Sequence, residues 1–497
     1  MKMKTNKSAL FLMGAICALN ILLLHTSCRN ETIEGEKPII SWNMSGVRFT
    51  IYTNEELTIA PDVSNTDETT IYQWYQNDKA VSTKKYYTFS EEKSGVYYVR
   101  LRVSNRFGTD EDEVKITVVE KEVTTIDSIP DNDSIFRWVF AFSEINIPIG
   151  AEVAITPYIL ENPKDGEWSW SVNGIETEDR QKTLVFKGEE EGTVSIHARL
   201  SGDSINEEKE FLVHVCPKAG RFIRNQGGKA DANRIYAYMP APGHQVNGFI
   251  LTNKDRLSFP SGCTHEDACD SVLLFFERGW SISLGGCGGY VTAGFDHSIM
   301  KKETGNELCI KGNPFDYQSE PGIIWVSQDV NGDGIPNDLW YELGGSEYGT
   351  ENHFLNYAIT YYHPTRPCSA TVWKDNRNES GHVPYMSYWN KEEYYWAPWI
   401  AQTECTYFGS ALASKHTYED GISHMPPYEW GYTDNLGSDY DKNRGMGFYS
   451  LKNARTWDGK KAELEFIDFI KVQTAQAGWT PNLGEISTEV YCIRSNE

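Results

Sequence analysis

Cysteine is absent from the stretch between Cys28 and Cys216, so nothing in the first two fifths of the chain can be stapled covalently. Basic residues are scarce, 46 Lys and Arg against 70 Asp and Glu, for a net charge of −24. That balance argues against nucleic acid, whose phosphates need cationic contacts, and against an anionic membrane surface. No apolar run of the ~18 residues needed to cross a bilayer occurs after the N-terminal segment. No H-E-x-x-H, G-x-S-x-G, P-loop or G-x-G-x-x-G motif is present, and no carboxylate pair stands out as a hydrolase couple, so the chain reads as no enzyme. No C-x₂-C spacing occurs, which disfavours a zinc cluster. Hydrophobic residues make up 40% and charged residues 23%, enough for packed cores. The 15 Trp and 28 Tyr favour β-structure and binding surfaces.

Lys2, Lys4 and Lys7 precede an apolar segment at 8–24, and the order matches a secretory signal. The segment resembles a bacterial lipoprotein signal, residues 1–27, with Cys28 as the acylated residue. His25 stands where such signals usually carry leucine. Residues 28–37 then form an acidic tether. The resemblance implies a lipid-anchored, surface-exposed protein of the outer membrane, since several acyl chains at ~0.8 kcal/mol per CH₂ hold firmly. In an exported chain the eight cysteines from Cys216 to Cys492 read as disulfides, up to four, with pairing open.

Residues 38–120 alternate as half-buried strands do, with Tyr97, Val99, Leu101 and Val103 on one face. Trp74 suits the core tryptophan of an immunoglobulin-like sandwich, and Gly95 to Tyr97 the turn and tyrosine that open a late strand. The pattern returns at 135–216: Trp170 follows Trp74 by 96 residues and Gly192 follows Gly95 by 97. Both copies resemble PKD-like modules, joined by a linker at 121–134. Residues 218–497 hold ten of the tryptophans and short strand-like runs between long loops. The expected fold is all-β: two immunoglobulin/PKD-like sandwiches, then a large jelly-roll-like β-domain whose long loops carry function. His297 reads as a structural histidine, and His265 with Glu266 and Asp267 as a solvated loop.

Two loops carry chemistry. Asp329, Asn331 and Asp333, followed by Gly334, match D-x-[DN]-x-[DN]-G, in which alternate side chains surround a hard cation. The Ile335 carbonyl would follow, with Asp338 or Glu342 as the closing carboxylate because Trp340 occupies the usual position. Structural calcium is one reading, and an Asx turn closed by its own hydrogen bonds is the other. In the second loop, seven of the fifteen residues 385–399 are Tyr or Trp. Tyr385, Tyr388, Trp389, Tyr394, Tyr395, Trp396 and Trp399, with Trp373 and Trp430 nearby, could form a rigid platform for a bulky, flat-faced ligand. The other reading is that they pack a core.

The stretches 290–297, 321–329 and 338–343, with the ending 466–472 and 484–490, resemble the C-terminal domain of PKD-bearing cell-surface lipoproteins. The similarity is greatest to BtuH-type surface proteins. That resemblance implies capture of cobalamin (vitamin B12) and its transfer to an outer-membrane TonB-dependent transporter. A carbohydrate-binding surface lipoprotein and a structural or adhesive module are the alternatives.

Overall fold

The computed structural model describes residues 35–42, 48–119, 136–161, 166–217, 228–246, 248–250, 256–259, 262–386, 392–419, 422–481 and 483–496. The signal segment, Cys28, the linker at 121–134, Tyr388 and Trp389 lie outside the described residues. The fold is all-β.

In the first sandwich, Tyr97 is half-buried, and Val99, Leu101 and Val103 on Gly95–Asn105 are buried, as period-2 alternation demands. Strand Arg48–Tyr52 pairs in parallel with Gly108–Val119, and the sheet continues through Gly95–Asn105, Ile71–Gln76 and Lys79–Ser82. The second sandwich repeats this order with Glu144–Pro148, Ile205–Cys216, Gly192–Gly202, Glu167–Val172 and Ile175–Glu176. Each sandwich centres on its tryptophan. The Trp74 indole N–H donates to the Lys84 carbonyl and that of Trp170 to the Gln181 carbonyl, both at 2.9 Å. An indole buried in apolar surroundings needs such an acceptor. Tyr97 donates its hydroxyl to the Lys93 carbonyl four residues upstream, at 2.9 Å.

The last unit is built on a six-stranded antiparallel sheet. Its order is Arg234–Met239, Tyr290–Met300, Phe466–Thr474, Gly322–Ser327, Trp340–Leu343 and Ala454–Arg455. Two four-stranded antiparallel sheets flank it. One contains Leu308–Lys311 and Cys492–Ser495, the other His353–Tyr362 and Glu404–Leu412. Residues 265–267 open the helix His265–Glu277 rather than a solvated loop. Thr264 and Asp267 form a reciprocal capping box, and the His265 imidazole accepts from the Tyr238 N–H at 3.2 Å.

The second sandwich docks on the last unit. Its edge strand Glu144–Pro148 meets the acidic loop, where the Asn146 N–H donates to the Asn337 carbonyl at 3.2 Å. Leu339 packs on the sandwich core. Tyr158 meets Phe408 edge-on at 4.9 Å, and Arg137 pairs with Glu404. Ile422 packs on the core of the first sandwich.

The expected disulfides are not formed: all eight cysteines from Cys216 to Cys492 are free. They act instead as small apolar side chains, most of them buried, each among its own neighbours. Cys263 and Cys269 sit in the main core, and Cys287 in a separate one. Burial pushes the thiols of Cys269 and Cys492 up to about 11, and that of Cys287 further, so thiolates are suppressed. Titration with a thiol reagent in denaturant, without reductant, should therefore find all eight of these thiols in the mature protein. Each disulfide would remove two, and a count of none would restore the bridged reading.

Candidate ligand site

The aromatic loop supplies core. Tyr385, Tyr395 and Trp396 are buried at 6%, 3% and 5% exposure. Tyr385 and Tyr395 stack at 5.0 Å, and the Tyr395 hydroxyl accepts from the Met386 N–H at 3.0 Å. The Trp396 indole donates to the Ile400 carbonyl at 3.0 Å. Trp399 lies edge-on to Phe259 at 4.9 Å and packs on the main core, while Tyr394 covers His363 at 4.7 Å. Trp373 is half-buried against the cross-strand Gly381, where a Cβ would come within 2.5 Å of the ring. Trp430 lies in a separate turn whose carbonyl accepts from the Ser346 N–H. The rings thus present most of their faces to one another and to the sheets. Packing a sheet on a loop this short requires large side chains, which accounts for their density.

The acidic loop is closed by its own hydrogen bonds. Asp329 accepts from the N–H groups of Gly332, Asp333 and Gly334 at 2.6–3.1 Å. Asp333 accepts from the Ile335 N–H at 2.7 Å and from the side-chain amides of Asn331 and Asn337. The Ile335 carbonyl accepts from the Asn337 N–H. Asp338, 1% exposed, takes the Val330 N–H on one oxygen and has no partner on the other. Burial above all, with Asp329, Asp333 and Asp468 nearby, pushes its carboxyl up to about 8. These are hard oxygen donors of the class calcium takes, and the unpartnered Asp338 oxygen fits a cation. Glu342 is not among them. Extended strand carries it ~13 Å beyond Asp338, where it meets the Ser410 hydroxyl at 2.7 Å and His353 at 2.8 Å.

A carboxylate trio that sequence reading missed lies elsewhere. Glu320, Asp434 and Glu489 place carboxylate oxygens within 4.8 Å of one another. Asp434 accepts from the N–H groups of Asn313 and Glu489 at 2.7 and 2.9 Å, and Glu320 from Ser487 N–H at 3.0 Å. The three come from segments more than fifty residues apart, so spacing carries no signal of their meeting. Burial first, then mutual repulsion, pushes all three carboxyls well above their ordinary range.

A cleft of about 750 Å³ opens between the second sandwich and the last unit. Its floor follows from strand register. Lys471 pairs with Trp325, Trp325 with Glu342 and Glu342 with Arg455, so one cross-strand row faces the cleft. Trp340 lies two residues from Glu342 on the same face. The Lys471 ammonium sits 4.9 Å from the Trp325 ring, 5.4 Å from Trp340 and 5.7 Å from Tyr290. Desolvation pulls it down to about 8, opposed by the charge of Glu342, so it stays mainly protonated at neutral pH. Phe142, Leu355 and Trp457 expose about half of their surface at the cleft.

Residues 37–105 match the PKD-like domain family. No curated protein matches the chain. Among solved structures, the N-terminal four Ig domains of Dscam1 isoform 7.44 are 13% identical over 37% of this chain and 46% of that one, with a TM-score of 0.14. The chain thus spans less than half the length of that structure. The fibronectin(III)-like modules of Clostridium thermocellum CbhA are 13% identical over 38% and 99%, with a TM-score of 0.16. The PKD-like match and the sandwich topology support an extracellular β-sandwich module, which fits a structural or adhesive surface role.

The trio makes a pH prediction. A carboxyl raised on folding holds its proton more tightly folded than unfolded, so the folded state gains most at low pH. That gain is lost as pH rises from the ordinary range near ~4 toward the raised values. Glu320→Gln keeps the Ser487 contact and removes one charge. Its melting temperature should fall less steeply than wild type between pH 5 and 7.5, and parallel slopes would refute the trio's role.

Proposed function

We propose that the chain is a non-enzymatic surface protein that captures a small-molecule ligand at the cleft between its second sandwich and its last unit. The carrying observation is that cleft, within the ~300–1,000 Å³ typical of ligand sites and walled by aromatic rings around one half-buried ammonium. The described rings of the aromatic loop do not line this cleft and pack into the cores of the last unit. In this reading Cys28 carries the lipid, the sandwiches space the last unit outward, and the outer membrane is its location.

Cobalamin, passed on to a TonB-dependent transporter, is the finer form of the proposal and rests on the family resemblance. Mixing the purified chain with cyanocobalamin and desalting it should leave red protein. Colourless protein would remove cobalamin and leave capture to be decided by other ligands.

Calcium in the acidic loop belongs to the same proposal. Asp329, Asn331, Asp333 and Asp338 would hold it, and it would stiffen the loop against Asn146. Calorimetry of the chelated protein should show a Ca²⁺ exotherm that Asp333→Ala abolishes. No heat from the wild type would leave the loop to its own hydrogen bonds.

A further inference from the structure

The acidic loop and the cleft share one stretch of chain. Asn337, Asp338, Leu339 and Trp340 follow one another, and each is committed to a different neighbour. The Asn337 carbonyl accepts both the backbone and the side-chain N–H of Asn146, at 3.2 and 3.3 Å. Asp338 turns into the loop, where one oxygen accepts from the Val330 N–H at 3.2 Å. Leu339 packs on the core of the second sandwich, and Leu339 and Trp340 both wall the cleft. Whatever fixes the loop at Asp338 therefore fixes one margin of the cleft.

Hydrogen bonds close the loop at 329–335, yet they leave its exit short of partners. The second Asp338 oxygen and the Asn337 side-chain oxygen are buried with no partner among the described residues. Asp329, Asp333 and Asp468 stand near Asp338 with charge of its own sign. Asp468 is held there by the Asp329 N–H, which it accepts at 2.8 Å. Like charges in low dielectric push apart, and a hard cation that takes the free oxygens reverses the sign of the interaction. The opposite margin of the cleft needs no cation, since Arg137 pairs with Glu404 and Tyr158 meets Phe408 at 4.9 Å.

We propose that a divalent cation, Ca²⁺ by its oxygen donors, gates the cleft. Bound at Asp329, Asn331, Asp333 and Asp338, it clamps segment 337–339 on Asn146. Its removal releases that margin, and the cleft opens about the Arg137 side. A cation shifts docked against open by its difference in affinity for the two. This rests on the calcium reading and adds the control that calcium exerts on the ligand site.

The test is hydrogen exchange of the full chain in excess Ca²⁺ and after chelation, read by mass on peptides, with small-angle scattering alongside. The Asn146 N–H has its acceptor across the interface, so exchange in Glu144–Pro148 should speed at least tenfold on chelation. Gly192–Gly202 in the same sandwich should not change, and the radius of gyration should rise. Asp338→Asn keeps the Val330 contact and should remove both responses at the Ca²⁺ level that just saturates wild type. Asp333→Asn, at an exposed position, should do the same and serves should the buried variant fail to fold. Unchanged exchange and scattering beside an intact Ca²⁺ exotherm overturn the gate and leave calcium binding standing. No exotherm and no response overturn both. Wild-type responses in both variants overturn the assignment to this loop.

Discussion

The edge of the second sandwich has to be covered. Glu144–Pro148 is an outer strand of its sheet, and such a strand offers unpaired N–H and C=O groups to any passing chain. Here the acidic loop of the last unit takes that edge. Asn146 gives both its backbone and its side-chain N–H to the Asn337 carbonyl, and Leu339 enters the sandwich core. The Arg137 pair with Glu404 and the Tyr158 contact with Phe408 hold the other side. The cleft exists because these contacts meet at its margins and leave its centre open. A loop that met this edge differently would close it or splay it.

Inside the last unit, polar groups are placed where β-register forces them. Lys471, Trp325, Glu342 and Arg455 stand in one row because four antiparallel strands align there. Glu342 is bound by Ser410 and His353, and the Lys471 ammonium lies among the rings of Trp325, Trp340 and Tyr290. The carboxylate trio uses a different solution. Backbone N–H groups of Asn313, Ser487 and Glu489 supply its hydrogen bonds, and its raised protonation relieves the repulsion. Both arrangements place charge in low dielectric, where partners decide whether it is tolerable.

A binding role suits this division of labour. The sandwiches repeat one module, down to the indole bonds of Trp74 and Trp170. The aromatic loop fills a core beside the sheets, which keeps the last unit rigid without disulfides. Rigidity before binding lowers the ordering cost of holding a ligand.

The sandwich strands were readable in the chain because alternation at Tyr97–Val103 and its recurrence at Val194–Leu200 are local facts of period two. The acidic loop was readable for the same reason, since an Asx turn closes within ten residues, though Glu342 was misplaced because extended strand moves each residue ~3.3 Å onward. The helix at His265 was missed although its capping box, Thr264 and Asp267, stood in plain sequence. Composition also marked loop 385–399 as special, but whether a ring faces solvent depends on what another segment lays over it. The same holds for Lys471 and Trp325, more than a hundred residues apart, and for Glu320, Asp434 and Glu489. Local periodicity and turn chemistry thus wrote the modules and the loop into the chain. Burial, pairing of distant strands and the docking of one domain on another, which depend on long-range contacts, decided where the rings, the free thiols and the cleft would lie.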